Sequence, residues 1–347
     1  MLEKPDLDDA RIVRCLRDEY GLPAARITFL PVGADQNTAA YRLAAAAGTA
    51  HFLKLRAGPF DETSVLLPRF LADHGIPGII APLPARDGRL WARVDGFRTI
   101  LYPFVPGRDG YQVDLSDQHW RALGAALKRV HTLALPPALR RRIRRETYDP
   151  RWRQGLSTTL ARLGQDPLPD AIAGRLVAFL HPRQDQILDL VARAERLAFD
   201  LVRRAPDPVL CHSDLHAGNV LVAEDGALYI VDWDEPILAP RERDLMYPGG
   251  AQGFRGHTPQ EEEILFYEGY GPASIDDAAL AYYRYERIVT DLAIFCEQLL
   301  STAAGGQDRE QSLQYLKSNF LPNGTIEVAY RSDRTRGQAR QPVGERS

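Results

Sequence analysis

Two carboxylates and an amide stand close together between Val209 and Glu235: Asp214, Asn219 five residues later, and Asp232 eighteen residues after Asp214. Phosphoryl transfer uses such a set. One carboxylate accepts or orients the attacking hydroxyl's proton, while an Asn and a second Asp hold the Mg²⁺ that neutralises a polyphosphate. Two apolar runs, 220–222 and 228–231, flank Asp225-Gly226 and predict a β-hairpin with a tight turn. That hairpin would fold Asp232 back beside Asn219, so three hard oxygen groups are expected to converge on one pocket. Taken alone, Asp214 also reads as a loop aspartate bonded to its own backbone. Asn219 alone reads as a turn residue, and Asp232 as a strand-end cap. The shared spacing favours a base at Asp214 and metal ligands at Asn219 and Asp232. His212 and His216 lack the intervening Glu and third ligand of a zinc site, so His212 is expected to brace the loop and His216 to line the site.

His212-x-Asp214-x-x-x-x-Asn219 matches the catalytic loop of kinases, and Asp232 takes the place of the metal-binding Asp that follows it. The run His212-Ser213-Asp214-Leu215-His216-x-x-Asn219-Val220-Leu221, then Ile230-Val231-Asp232-Trp233, resembles the aminoglycoside phosphotransferase family, kinase-like enzymes that phosphorylate antibiotics and small metabolites. The continuation Asp234-Glu235-Pro236-x-Leu238-Ala239-Pro240-x-Glu242-Arg243-Asp244-Leu245-Met246 with Gly249-Gly250 looks most like its spectinomycin phosphotransferase branch. The likeness runs from about Lys54 to the Tyr-rich segment near Tyr285. It implies ATP as donor (GTP remains open), Mg²⁺, and a hydroxyl on a small, cationic acceptor. The rival acceptors are choline, homoserine, a sugar, a macrolide or a protein. A pseudokinase that binds nucleotide without transfer is the alternative of a different class.

The resemblance assigns Lys54, in the strand-like run His51–Leu55, to the α- and β-phosphates; without it, Lys54 reads as a solvent-facing strand lysine. Its acidic partner is less evident. Either Glu62 serves from the first turn of the next helix, or the lysine is held otherwise, since Pro68 would kink that helix. Gly33 is a lone glycine in 31–38, which is expected to cover the phosphates through backbone N–H groups and Asn37 or Thr38. Tyr102 and Phe104, in the segment 102–105, are expected to offer backbone groups to the base. Arg243 and Asp244 are expected to brace the catalytic segment through a buried ion pair. For an ammonium-bearing acceptor the candidates are Asp234, Glu235, Trp152, and Tyr285 and Glu286 on the late helix that also carries Tyr282, Tyr283, Asp291 and Glu297, although a stripe of aromatics at helical spacing is more often core and most of these are expected there.

The elements that must position these groups follow from periodicity. Helical spacing over 6–20 is followed by strand-like runs at Ile27–Pro31, Ala39–Leu43, His51–Leu55 and Gly96–Tyr102, with one helix from about Glu62 to His74. The two prolines of 101–107 predict a stiff connector. Beyond it the pattern is helical over Ser116–His131, Leu156–Leu163, Asp170–Phe179, Gln184–Arg203, Glu261–Tyr270, Asp276–Thr302 and Gln307–Leu321, interrupted by the catalytic hairpin. The expectation is a kinase-like α/β (α+β) fold. A nucleotide-binding lobe covers 1–101, a connector 102–107, a catalytic and substrate-binding lobe 108–330, and a disordered tail 331–347.

At 347 residues, with 45% hydrophobic and 26% charged side chains, the chain has the composition of a globular protein and can bury a sizeable core. A net charge of −3 leaves no basic footprint for nucleic acid. No apolar run approaches the ~20 residues of a membrane span, and the polar N-terminus lacks a signal-peptide core. Cys15, Cys211 and Cys296 are scattered, which fits small apolar packing residues in a reducing cytoplasm. The expectation is therefore a monomeric cytoplasmic enzyme with a small-molecule partner.

Overall fold

The computed structural model describes residues 3–33, 35, 37–45, 48–165 and 167–334. Elements are numbered along the whole chain, which forms two compact units that do not follow chain order. One unit combines Met1–Val113, Leu135–Ile143 and Gly218–Pro236; the other combines Asp114–Ala134, Arg144–Ala217 and Ile237–Ser347.

The first unit is built on a five-stranded antiparallel sheet in the order β1-β2-β3-β5-β4. Its strands are β1 (Ala24–Leu30), β2 (Thr38–Ala45), β3 (Ala50–Arg56), β4 (Ala92–Val94) and β5 (Phe97–Pro103). Helix α1 (Asp9–Tyr20) starts where the Asp8 carboxylate accepts the Ala10 N–H at 2.9 Å. It ends at Gly21, whose φ of 67° suits the left-handed cap. Ile12, Cys15 and Leu16 on its inner face pack with Tyr41, Leu43, Leu53 and Leu55 of the sheet. Helix α2 (Thr63–Asp73) carries Pro68 inside it. A second sheet, β10-β9-β6, joins β6 (Gly107–Asp109) to the hairpin of β9 (Val220–Ala223) and β10 (Leu228–Ile230). Gly107 is needed there because a Cβ would run into the Val222 carbonyl. The remaining element of this unit is the single turn α4 (Pro137–Arg140).

The second unit is mostly helical. It holds α3 (Asp117–Thr132), α5 (Arg151–Ala161), α6 (Ala171–Leu180), α7 (Gln184–Arg204), α8 (Glu242–Leu245), α9 (Pro259–Tyr270), α10 (Asp277–Ser301), α11 (Gly306–Ser318) and α12 (Thr325–Arg334). A small sheet in the order β7-β11-β8 pairs β7 (Arg144–Arg145), β11 (Ile237–Ala239) and β8 (Val209–Cys211). Helix α10 contacts α5, α7, α11 and α12, and buries Tyr282, Tyr283, Tyr285, Val289, Leu292 and Cys296. Helices α3 and α9 approach so closely that a Cβ on Gly124 would strike the Phe266 carbonyl.

The expected strands and helices are present; the short elements α4, α8, β7, β8 and β11 were not anticipated. Residues 101–107 are not one stiff connector: the first three finish β5 and Gly107 opens β6. Sequence periodicity did not single out β4, which is three residues long, or α12. Residues 331–334 close α12 rather than opening a disordered tail, because Tyr330 donates to Asp189 at 2.8 Å and Asp333 accepts from Arg193 at 2.8 Å. The rest of the expected tail, 335–347, lies outside the described residues.

Candidate active site

The predicted hairpin forms, with Val220 opposite Ile230 and Val222 opposite Leu228. Gly226 takes φ 83° at its turn, and the Asp225 carboxylate accepts the Ala227 N–H at 3.0 Å. Beyond the ladder, the Val231 N–H donates to the Asn219 carbonyl at 3.0 Å. Asn219 and Asp232 are therefore held at the same end of the hairpin. They offer an amide and a carboxylate oxygen, the hard donors that Mg²⁺ takes, and this donor set fits that ion. Asp232 occupies the left-handed region at φ 64°, uncommon for a residue with a Cβ. Its side chain is 46% exposed.

Lys54 lies on the central strand β3, between Ala40 of β2 and Ile100 of β5. Its ammonium donates to Asp232 at 2.7 Å and to Asp234 at 2.8 Å, and Arg56 also donates to Asp234. Burial alone would depress the Lys54 pKa, but the two carboxylates outweigh it and hold it above the ordinary lysine value. Glu62 is not its partner. That carboxylate accepts from the Trp91 indole at 3.2 Å and from Arg142 at 3.1 Å. Glu62 only begins α2, so the lysine is held by the loop after β10 instead. Asp234, expected at the acceptor, is thus engaged with Lys54 and Arg56, while Glu235 beside it is exposed.

The turn between β1 and β2 closes on its own aspartate. Asp35 accepts the Asn37 N–H at 2.8 Å and the Thr38 hydroxyl at 2.7 Å, and Gly33 takes φ 86°. Ala34 and Gln36 lie outside the described residues. At the end of β5, Tyr102 pairs with Phe52, and the Phe104 N–H donates to the Ala50 carbonyl at 3.2 Å. The Arg42 guanidinium stands 4.7 Å from the centre of the Phe104 ring. That N–H is already committed to the sheet.

In the helical unit, Asp214 follows a loop held on several sides. The Asp244 carboxylate accepts the His212 N–H at 2.8 Å and the Ser213 N–H at 2.7 Å, and the Tyr247 hydroxyl donates to the Ser213 carbonyl at 2.7 Å. Ser213 takes φ 73°, in the left-handed region. His212 is fully buried and its Nδ1 accepts the Asp214 N–H at 3.2 Å, so it is a brace. Asp244 does brace the loop, but through backbone amides and His131 at 3.1 Å rather than through Arg243. Arg243 instead lies over the Tyr283 ring and 3.9 Å from Glu146. His131, Cys211 and Asp244 bring ligand-type atoms within 4.8 Å of one another. Because Asp244 is spent on two amides and His131, this cluster serves as a scaffold.

The Asp214 carboxylate meets Arg287 of α10, and His216 lies 3.6 Å from it. Burial would raise its pKa, but Arg287 and His216 overcome that and hold it well below the usual carboxylate range. Arg287 is fixed in turn by Asp291, one helical turn on, at 3.1 Å and by the Tyr247 hydroxyl at 3.2 Å. Sequence reasoning missed Arg287. Its signal was an Arg–Asp pair at i, i+4 on the late helix, a pattern that usually marks a solvated face.

Tyr285 and Glu286 are corrected. Tyr285 is buried against Tyr330 and its hydroxyl reaches Asp333 at 3.3 Å, while Glu286 pairs with the buried Arg153 at 2.5 Å. Both hold α10 in place, because that helix is packed on nearly every side. Trp152 is half-buried beside Arg151 and lines a hollow of about 540 Å³ together with Cys296 and Glu297.

The five-stranded sheet with its helices, the hairpin of β9 and β10 and the largely helical second unit define a kinase-like fold. The chain belongs to the phosphotransferase enzyme family, whose pattern matches residues 61–275. It is similar to spectinomycin phosphotransferase APH(9)-Ia. Against the complex of that enzyme with ADP and spectinomycin the identity is 35% and the TM-score 0.87, covering 95% of this chain and 99% of that one. Against its AMP-bound complex the identity is 34% and the TM-score 0.83, covering 93% and 98%. Protein StrN of Streptomyces griseus is 30% identical over 217 residues, 60% of this chain, and the match spans 64% of StrN.

Proposed function

We propose that this protein transfers the γ-phosphoryl group of ATP, with Mg²⁺, to a hydroxyl of a small cationic aminocyclitol, spectinomycin first among them. The observation that carries the reading is the likeness to APH(9)-Ia over 95% of the chain. Asp214, Asn219 and Asp232 follow the spacing of the kinase catalytic motif, with Lys54 upstream of them, which supports the reading. In this reading Lys54 binds the α- and β-phosphates, and Asn219 and Asp232 hold Mg²⁺, which neutralises charge on the phosphates when bound. Asp214 orients the acceptor hydroxyl and receives its proton as the oxygen attacks phosphorus. Held at a low pKa, Asp214 works mainly by positioning, in keeping with a loose transition state in which the hydroxyl keeps its proton until late.

The protein acts as a monomer in the cytoplasm. Its three cysteines are free and buried, as a reducing compartment favours. No helix among the described residues is long and apolar enough to cross a membrane. The test incubates purified protein with ATP, Mg²⁺ and spectinomycin, follows ADP release, and weighs the drug by mass spectrometry. One added phosphate on spectinomycin is expected. Unmodified drug alongside ready phosphorylation of choline, homoserine or a sugar would reject the acceptor and retain the kinase. No ADP release with any acceptor, despite nucleotide binding, would mark a pseudokinase.

A further inference from the structure

In kinases of the protein-kinase layout, a helix supplies the glutamate that holds the phosphate-binding lysine, and moving the helix switches the pair. Here the acid at the start of α2, Glu62, is engaged with Trp91 and Arg142. Lys54 is met by Asp232 and Asp234 instead. These two carboxylates differ. Asp232 is 46% exposed in a left-handed backbone, whereas Asp234 is 18% exposed and lies between Lys54 and Arg56. Lys54 and Arg56 are two residues apart on β3, so both project from the same face of the sheet toward one acid. Between the two aspartates, the buried Trp233 donates its indole N–H to the Ile230 carbonyl at 3.1 Å and pins the turn.

We propose that Asp234 is the positioning residue for Lys54, taking the role a helix glutamate has elsewhere, with Arg56 clamping Asp234 from its other side. Asp232 is then released to the metal while Lys54 stays aimed. The inference deepens the phosphotransferase reading and rests on it for the purpose of Lys54. Its consequence is that the lysine and the metal ligand are set by one hairpin, so displacement of α2 does not uncouple them.

Two measurements on the full chain test this. The chain has lysines only at 4, 54, 128 and 317, so acylation of each by an amine-directed reagent can be followed by mass spectrometry without nucleotide. Asp234→Asn is expected to speed labelling of Lys54 severalfold and leave the other three unchanged. If all four accelerate, the fold is lost and Asp234→Glu decides: a carboxylate one methylene longer keeps Lys54 protected. Unchanged Lys54 labelling in Asp234→Asn, or labelling in Asp234→Glu as fast as in the unfolded chain, overturns the proposal.

The second measurement is a double-mutant cycle on ADP affinity. Asp234→Asn should weaken binding about tenfold, the worth of one charge-assisted hydrogen bond. In a Lys54→Ala background it should do so less than about twofold. Equal losses in both backgrounds would mean that Asp234 acts on metal or nucleotide directly. The labelling arm reads Lys54 whether or not phosphate is transferred, so failure of the kinase reading is seen separately, as an absence of ADP release.

Discussion

Asp214 carries the largest single expectation. Asp214→Ala should lower kcat by on the order of 10²-fold or more, the usual worth of a positioned proton acceptor, with ADP affinity nearly unchanged. Turnover within a few-fold of the parent would remove Asp214 from the chemistry. Its pairing with Arg287 makes a further prediction, about pH. A carboxylate held below its ordinary pKa stays ionised to lower pH, so the acid limb of kcat/KM is expected to lie low in the parent. Arg287→Met removes the cation, lets the Asp214 pKa rise, and should move that limb to higher pH. A limb that stays in place would show that another group sets it. At the metal ligands, Asp232→Ala should raise the Mg²⁺ needed for half-maximal rate more than Asn219→Ala, because it removes a full charge. Mg²⁺ titrations at fixed ATP make the comparison, and equal parent-like dependence in both variants would withdraw the assignment.

Among the elements, the hairpin was legible because its information is local. Two apolar runs around Asp225-Gly226 determine its turn and register, and so the proximity of Asn219 and Asp232. The partner of Lys54 was not legible, since Asp234 lies 180 residues away and only the tertiary fold brings it there. The aromatic stripe of α10 reads as core from its helical spacing, and Tyr282, Tyr283 and Tyr285 are buried; the acceptor candidates on that helix were not separable from the core by pattern alone. Periodicity shows one face of a helix, and α10 is packed on several, so Tyr285 and Glu286 became core residues. Helix α9 offers an element-level test. Glu262, in its first turn, accepts the Gly249 N–H at 2.9 Å, yet burial pushes its carboxyl up to about 7. The folded state thus holds this proton more tightly than the unfolded chain. The contribution is full below the unfolded value of 4.5 and is lost as pH rises through about 7. It amounts to about 3 kcal/mol across that window. Glu262→Gln should remove that part of the pH dependence, so denaturant unfolding of parent and variant should diverge between those limits. Parallel profiles would refute the buried proton.

At the scale of the whole molecule, the choice of acceptor depends on which carboxylates remain for ammonium groups once the protein has satisfied its own cations. On α10, Glu286 is committed to Arg153, and Asp291 to Arg287. Even Asp214 carries a guanidinium. A flexible, multi-ring aminoglycoside brings several ammonium groups, each of which loses hydration on binding and needs a counter-charge to offset the loss. A rigid fused-ring aminocyclitol brings fewer and loses less conformational freedom. The proposed preference therefore follows from charge already neutralised within the helical unit, together with the likeness to APH(9)-Ia. The expected kcat/KM for spectinomycin exceeds that for kanamycin by on the order of a hundredfold or more, roughly the cost of burying one polar group left without a partner. Coupled ADP-release assays at matched Mg²⁺ measure both. Replacing Arg287 by Met should narrow the gap, because it frees Asp291 for a second ammonium. A gap that stays as wide while spectinomycin turnover persists would show that pocket shape, and not the supply of carboxylates, selects the acceptor.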